Sequence, residues 1–176
     1  MTPYESYNEN WTNKSNSNTM ERRGIMIISP DHHIYNDDGT YVWSPGRVKY
    51  AWWLCKNLLR EFQEAFGTIY LLVGVPGAGK STWIAQNGSS DHLYVDATFT
   101  EYKGRKDYIK LIRSMDPHKR IVAVVFHVDV EVAIQRNATR TEDRRIPEDI
   151  IRKMHQRLQS HPVTLAEGFD EIVVVS

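Results

Sequence analysis

Two kinds of apolar pattern alternate along this chain. The first is a set of short runs that are apolar at nearly every position: Ile25 to Ile28, Ile69 to Val73, Leu93 to Val95, Ile121 to Val128 and Ile172 to Val175. Such runs, rich in β-branched residues, fit strands of a parallel sheet that are buried on both faces. The second kind spaces its apolar residues three and four apart. Val48, Ala51, Trp52, Cys55, Leu58, Leu59 and Phe62 form one such stripe, and Ile150, Ile151, Met154 and Leu158 form another. That spacing predicts helices with one buried face.

Punctuation residues fit between these runs. Ser44-Pro45 supplies an N-cap and a proline at the first helical position, and Gly67 stands as a C-cap. Asn36-Asp37-Asp38-Gly39 signals a turn. Further helices are expected over about 80–86, 104–115 and 130–139, and Pro147-Glu148-Asp149 opens another, with its acids near the positive helix end. Five strands alternating with helices predict an α/β fold: a five-stranded parallel sheet covered by helices on both faces. The run 121–128, the longest, is expected to be central.

The first 23 residues depart from this pattern. They are rich in Asn, Ser and Thr and poor in aliphatics, so a flexible tail is expected over 1–23, with docking through Tyr4, Tyr7 and Trp11 as the alternative. Residues 24–176 are expected to form a single domain. Lys+Arg and Asp+Glu both number 22, so any nucleic-acid binding must use a local basic patch instead of a global field. One cysteine, Cys55, permits no disulfide within the chain. With no apolar run of about 20 residues and no apolar leader, no membrane contact and a cytoplasmic location are expected.

The segment after the second strand carries the clearest chemistry. Gly74-Val75-Pro76-Gly77-Ala78-Gly79-Lys80-Ser81 has the Gly-x-x-x-x-Gly-Lys-Ser spacing of a phosphate-binding loop, and Thr82 follows in the helix. Glycines let backbone N–H groups turn inward around phosphate oxygens, and the following helix adds its own free N–H groups. Lys80 offers a cation for the β- and γ-phosphates of ATP, and Ser81 a hydroxyl for Mg²⁺. The flanking strand and helix give the motif its required context.

Asp31 and Asp96 each follow an apolar run, and ligands of parallel α/β sheets bind outside the carboxyl ends of the strands. Asp96 can serve the Mg²⁺ shell through water, and Asp31 can accept a proton from an attacking hydroxyl. Capping of the next turn is the alternative for either one. Arg136, Arg140, Arg144 and Arg145 bracket Thr141-Glu142-Asp143; such a cationic segment can stabilise a transferring phosphoryl group, or it can be a solvated helix end. Lys103, Arg105, Lys106, Lys110 and Arg113 read as a basic helix face, either solvated or in contact with a nucleic-acid backbone. Trp43 and Trp53 are the tryptophans expected at the surface, where an aromatic ring can stack on a base, and Trp52 is expected in the core. His32-His33 lacks the further ligands that a metal site needs.

Taken together these segments resemble the phage-type polynucleotide 5′-hydroxyl kinases and their relatives. The loop 74–83, including Ser81-Thr82-Trp83, resembles the family's loop, and Val95-Asp96-Ala97-Thr98 with Arg105 and Tyr108 behind it resembles its second carboxylate strand. Most specific is Arg136-Asn137-Ala138-Thr139-Arg140 through Arg145-Ile146-Pro147-Glu148-Asp149-Ile150-Ile151-Arg152-Lys153-Met154, which is similar to the family's arginine lid and following helix. Glu167-Gly168-Phe169-Asp170 resembles the loop before its last strand. One departure stands out: Ser29-Pro30-Asp31 and the helix to Phe66 precede the loop, whereas their counterparts follow it. Circular permutation, with a joint at Gln86 to Asp91, is the expected account.

The resemblance implies a P-loop kinase fold with ATP and Mg²⁺ as cofactors. It implies nucleotide binding by Gly74, Pro76, Gly77, Ala78, Gly79, Lys80, Ser81, Thr82 and Arg136, with Asp31, Lys80 and Arg140 catalytic. Ser81 and Asp96 serve the metal, Asp96 alternatively the acceptor, and Trp43, Arg105 and Arg144 are acceptor-side candidates. The expected substrate is nucleic acid, DNA before RNA, at a 5′-hydroxyl end or at the hydroxymethyl of 5-hydroxymethyluracil in phage DNA. In a phage-encoded protein the location would be the host cytoplasm. No protein partner is implied. A kinase of a nucleoside, sugar or antibiotic, and a non-catalytic nucleotide-dependent switch, are the competing readings.

Overall fold

The computed structural model describes residues 24–36 and 38–176; the tail expected over 1–23, and Asp37 of the expected turn, lie outside the described residues. Five strands form one all-parallel sheet: β1 (Met26–Ile28), β2 (Thr68–Val73), β3 (His92–Asp96), β4 (Arg120–Phe126) and β5 (Glu171–Val175). Their order across the sheet is β1-β3-β2-β4-β5. The longest apolar run is thus an interior strand, and the middle place belongs to β2, which leads into the glycine-rich loop. Register sets Leu71 against Val95 and Ala123, and Ile28 against Val95.

Five α-helices connect these strands: α1 (Pro45–Phe62), α2 (Lys80–Asn87), α3 (Tyr102–Met115), α4 (Val130–Ala138) and α5 (Glu148–Ser160). Because strand side chains alternate between faces, the apolar runs feed two cores. On one face Ile69, Leu71 and Val73 pack with Cys55, Leu58 and Leu59 of α1 and Tyr108, Ile109 and Ile112 of α3. On the other, Leu72, Tyr94, Val124 and Phe126 pack with Ile84 of α2, Ala133 and Ile134 of α4 and Ile151 of α5. A five-stranded parallel sheet with helices on both faces is therefore what the chain forms. Among the described residues no helix is long and apolar enough to cross a membrane.

Local signals read from the sequence mostly hold. Ser44 caps α1 by accepting the Arg47 N–H, with Pro45 at the first helical position. Gly67 does not cap it, however. The helix tightens into a 3₁₀ turn at Gln63–Ala65, and Phe66 leaves it in extended conformation, so no left-handed residue is needed. Pro147 stands at the N-cap of α5, one place ahead of the first helical residue.

Candidate functional site

Sequence dictates the shape of the loop between β2 and α2. Gly77 and Gly79 take positive φ, +82° and +97°, a region closed to most L-residues. A Cβ on Gly77 would also lie 2.3 Å from the Ala133 carbonyl oxygen, so the loop can lie against the first turn of α4 only with glycine there. The Gly74 N–H donates to Thr98 O at 3.0 Å, which ties the start of the loop to the segment after β3. Lys80 opens α2, and its ammonium folds back to donate to Gly74 O (2.9 Å) and Val75 O (3.1 Å). Ser81 Oγ donates to Asp96 Oδ2 at 2.8 Å, joining the loop helix to the end of β3.

Asp31 reaches the same place from the sheet edge. After β1 the chain turns through a 3₁₀ helix, Pro30–His33, which sets Asp31 just beyond the strand's carboxyl end. Asp31 as a residue is exposed. The surrounding protein nevertheless raises the carboxyl above its ordinary value, chiefly by burial and then by the Asp96 charge, while Lys80, Arg140 and His32 pull it back. Lys80 is lowered, first by burial and also by Arg140, with Asp96 and Asp31 opposing. Asp31, Lys80, Asp96 and Arg140 thus lie within electrostatic reach of one another, although they come from four separate segments.

Arg140 belongs to a loop whose base is closed by a buried amide. Asn137 Nδ2 donates to Ile146 O at 2.8 Å and its Oδ1 accepts the Ile146 N–H at 3.1 Å, so residues 138–145 project as one closed excursion. Arg145 Nε donates to Arg140 O within it. Arg136, at the end of α4, directs its guanidinium to Gly77 O at 3.4 Å, over the glycine-rich loop. Arg144 lies over the Tyr35 ring, 5.0 Å from its centroid, and the Asp143 carboxylate accepts the Tyr41 backbone N–H.

These two tyrosines were not singled out in the sequence. Tyr35 and Tyr41 flank the expected turn, are joined by an antiparallel bridge and meet edge to face at 5.5 Å. Gly39 turns the chain at φ +85°, and Arg47 of α1 holds the turn through Tyr35 O and Asn36 Oδ1. Burial and then Asp31 push the Tyr41 hydroxyl up to about 12. The only sequence signal was an aromatic on each side of a polar turn.

Arg105 is corrected. It was expected on an exposed basic face, as an acceptor-side residue. Instead it is wholly buried and forms a two-point ion pair with Glu167, Nε to Oε2 at 2.7 Å and Nη2 to Oε1 at 3.0 Å. Its other donors go to Phe99 O and His161 O, both at 3.0 Å. Wholly buried, with four of its five N–H groups engaged, it is not placed to meet a ligand. It holds Phe99, whose φ is +45°, directly after the Thr98 carbonyl that anchors Gly74. Lys103, Lys106 and Lys110 of the expected face are exposed, but Arg113 bonds Asp170 and the backbone carbonyls of Pro117, Lys119 and Gly168.

The remaining expectations divide simply. Trp43 and Trp53 are 61% and 51% exposed, as read, and Trp52 packs edge to face on Phe99 and Tyr108. Thr82 is exposed in the first turn of α2, and Pro76 and Ala78 are buried in the loop. Among the described residues no group of three or more His, Cys, Asp or Glu could hold a metal ion by itself. A shallow depression of about 410 Å³ between α1 and α3, lined by Lys56, Arg60, Asp107 and Lys110, includes none of the clustered residues. No protein-family model matches the chain, and no curated protein matches it.

Proposed function

We propose that this chain is an ATP-dependent phosphotransferase that moves the γ-phosphate of ATP to a hydroxyl group of a nucleic acid. The observation that carries the reading is the meeting of Asp31, Lys80, Asp96 and Arg140 at the carboxyl ends of three adjacent parallel strands, beside a loop with positive-φ glycines. A nucleotide-dependent switch has no use for a carboxylate and an arginine facing each other across the phosphate end. The resemblance to polynucleotide kinases supports the choice of acceptor.

The residues fit the groups the reading requires. Gly74 to Ser81 form the phosphate cradle, and Lys80, now bonded to loop carbonyls, has the donors to turn to the β- and γ-phosphates. Arg136 lies over the loop at the nucleotide side. Ser81 Oγ and the Asp96 carboxylate are the pair to hold Mg²⁺, the carboxylate through water; the ion would supply charge neutralisation on the phosphates. Asp31 accepts the proton of the acceptor hydroxyl as its oxygen bonds to the γ-phosphorus. The bond to the ADP oxygen breaks, and Arg140 stabilises the charge on the transferring group.

On this reading the chain order is that of two exchanged strand–helix units. Strict circular permutation would carry β2 and α2 behind β5, whereas here only the β1–α1 and β2–α2 units trade places.

The test is transfer of radiolabelled γ-phosphate from ATP to three DNA oligonucleotides. One has a free 5′-hydroxyl, one is blocked there, and one is blocked but carries 5-hydroxymethyluracil. Label on the first alone means an end-specific kinase; label on the third but not the second means a base-hydroxymethyl kinase. Lys80→Ala should lower transfer by about 100-fold or more while the far-ultraviolet circular dichroism stays unchanged. Label on none of the oligonucleotides or on RNA ends, with label on a free nucleoside or sugar, would replace the nucleic-acid acceptor by a small molecule.

A further inference from the structure

Among the described residues only one residue other than glycine has positive φ: Phe99, at +45°. A bulky side chain rarely takes that backbone region, and it stays there only where its surroundings fix it from several sides. Here they do. The Phe99 ring is buried and meets Trp52 of α1 and Tyr108 of α3 edge to face, at 5.6 and 4.9 Å. Its carbonyl oxygen accepts from Arg105 Nη1 at 3.0 Å, and the preceding carbonyl, Thr98 O, accepts the Gly74 N–H at 3.0 Å.

The place of this strained turn gives it a use. β2 and β3 pair with Leu72 opposite Asp96, and the Gly74–Thr98 bond carries that register one step beyond the strands. The chain then leaves the sheet to reach α3 at Tyr102, and Phe99 makes the turn. Thr98 O belongs to the peptide unit that rotates with φ of Phe99. With α3 fixed in the core, a relaxed Phe99 would swing Thr98 O away from Gly74 and release the first residue of the glycine-rich loop. A plain staple between α3 and the turn before β5 would need only the two Arg105–Glu167 bonds. The bond to Phe99 O goes beyond that task. Glu167, by engaging both Nε and Nη2, fixes the plane of the guanidinium and so aims Nη1 at Phe99 O.

We propose that Arg105, oriented by Glu167, is a positioning residue for the glycine-rich loop. By holding Phe99 in its left-handed turn it keeps Thr98 O on the Gly74 N–H, so that the loop is set for phosphate before a nucleotide arrives. Arg105 touches no ligand and acts through Phe99, Thr98 and Gly74 in turn. Its effect on nucleotide binding rests on the phosphate-loop reading above; its effect on the Gly74 amide does not.

The double substitution Arg105→Met/Glu167→Leu separates positioning from stability. Replacing both members of a buried ion pair by apolar residues is close to neutral for the fold, yet it leaves Phe99 O without its donor. Two readouts on the full chain test the proposal: amide hydrogen exchange by nuclear magnetic resonance without nucleotide, and calorimetric titration with ADP and Mg²⁺. The Gly74 N–H should be protected in the unmodified chain and should exchange about tenfold faster in the double variant, while the amides of Leu71 and Ala123 in the sheet keep their protection. ADP should bind about tenfold more weakly to the double variant, whose loop is competent for a smaller fraction of the time. A double variant that keeps the Gly74 protection, or that binds ADP as tightly as an ADP-binding unmodified chain, would overturn the proposal. So would a Gly74 amide that exchanges in the unmodified chain as fast as an exposed loop amide, a result that needs no variant to fold. Faster Gly74 exchange in the double variant, with no ADP bound by the unmodified chain, would sink the nucleotide reading and leave the positioning of the loop standing.

Discussion

Asp31 gathers the most interactions at the level of single residues. Its carboxyl sits above the usual aspartate value because burial disfavours the charge and Asp96 repels it, with Lys80 and Arg140 opposing. A general base works only when ionised, so turnover should rise with pH through the Asp31 titration and then level off. Altering its neighbours should move that limb in opposite directions. Asp96→Asn removes a charge that raises the carboxyl, so the limb should shift to lower pH. Arg140→Gln removes one that lowers it, so the limb should shift to higher pH. Asp31→Asn should abolish the limb and lower kcat by about 10² to 10⁴. The check is kcat against pH at saturating ATP and Mg²⁺; a limb unmoved by both neighbouring changes would mean that another group titrates.

At the scale of elements, the helices and strands were legible because their apolar spacing is long and regular, and Ser44-Pro45 marked the start of α1 correctly. The site residues that follow strands or lie in the glycine-rich loop were legible for the same reason. Arg105 was not, although the signal was present. It stands three and four positions before Tyr108 and Ile109, and so lies on the buried stripe of α3. Reading it by charge alone put it on the wrong face, and its partner Glu167 is 62 residues away, beyond any local pattern. The pair joins α3 to the turn before β5 and supports Phe99 behind the loop, and it has a distinct energetic signature. Loss of one partner leaves a buried, uncompensated charge, which costs about 3–5 kcal/mol. Arg105→Met or Glu167→Leu alone should destabilise by that order in urea unfolding, and the double substitution should recover most of the loss. Additive losses would show that the two side chains act separately.

For the whole molecule, strand order was the part the sequence could not provide. Local patterns name the strands, but which strand neighbours which is decided by pairing between distant segments. Here that places β3 between β1 and β2 and sets Asp31, Asp96 and the glycine-rich loop side by side. The same packing traps His33, which the sequence offered only as a polar residue beside Asp31. It is 3% exposed, its Nε2 has no hydrogen-bond partner among the described residues, and burial, helped by His32, lowers it from 6.5 to about 4. The depressed value makes the unfolded chain the better proton binder between those limits. The stability His33 allows is therefore complete above pH 6.5 and is lost as pH falls towards 4. Across the whole window the loss is about 3 kcal/mol, and by about pH 5 it is about 2 kcal/mol. The raised Asp31 works against this at the acid end, because there the folded state is the better proton binder above the ordinary 3.8. Urea unfolding at pH 7 and pH 5 should show the drop in the unmodified chain and a smaller drop in His33→Leu, whatever that substitution does to stability at pH 7. An equal drop in both would assign the acid sensitivity to other groups.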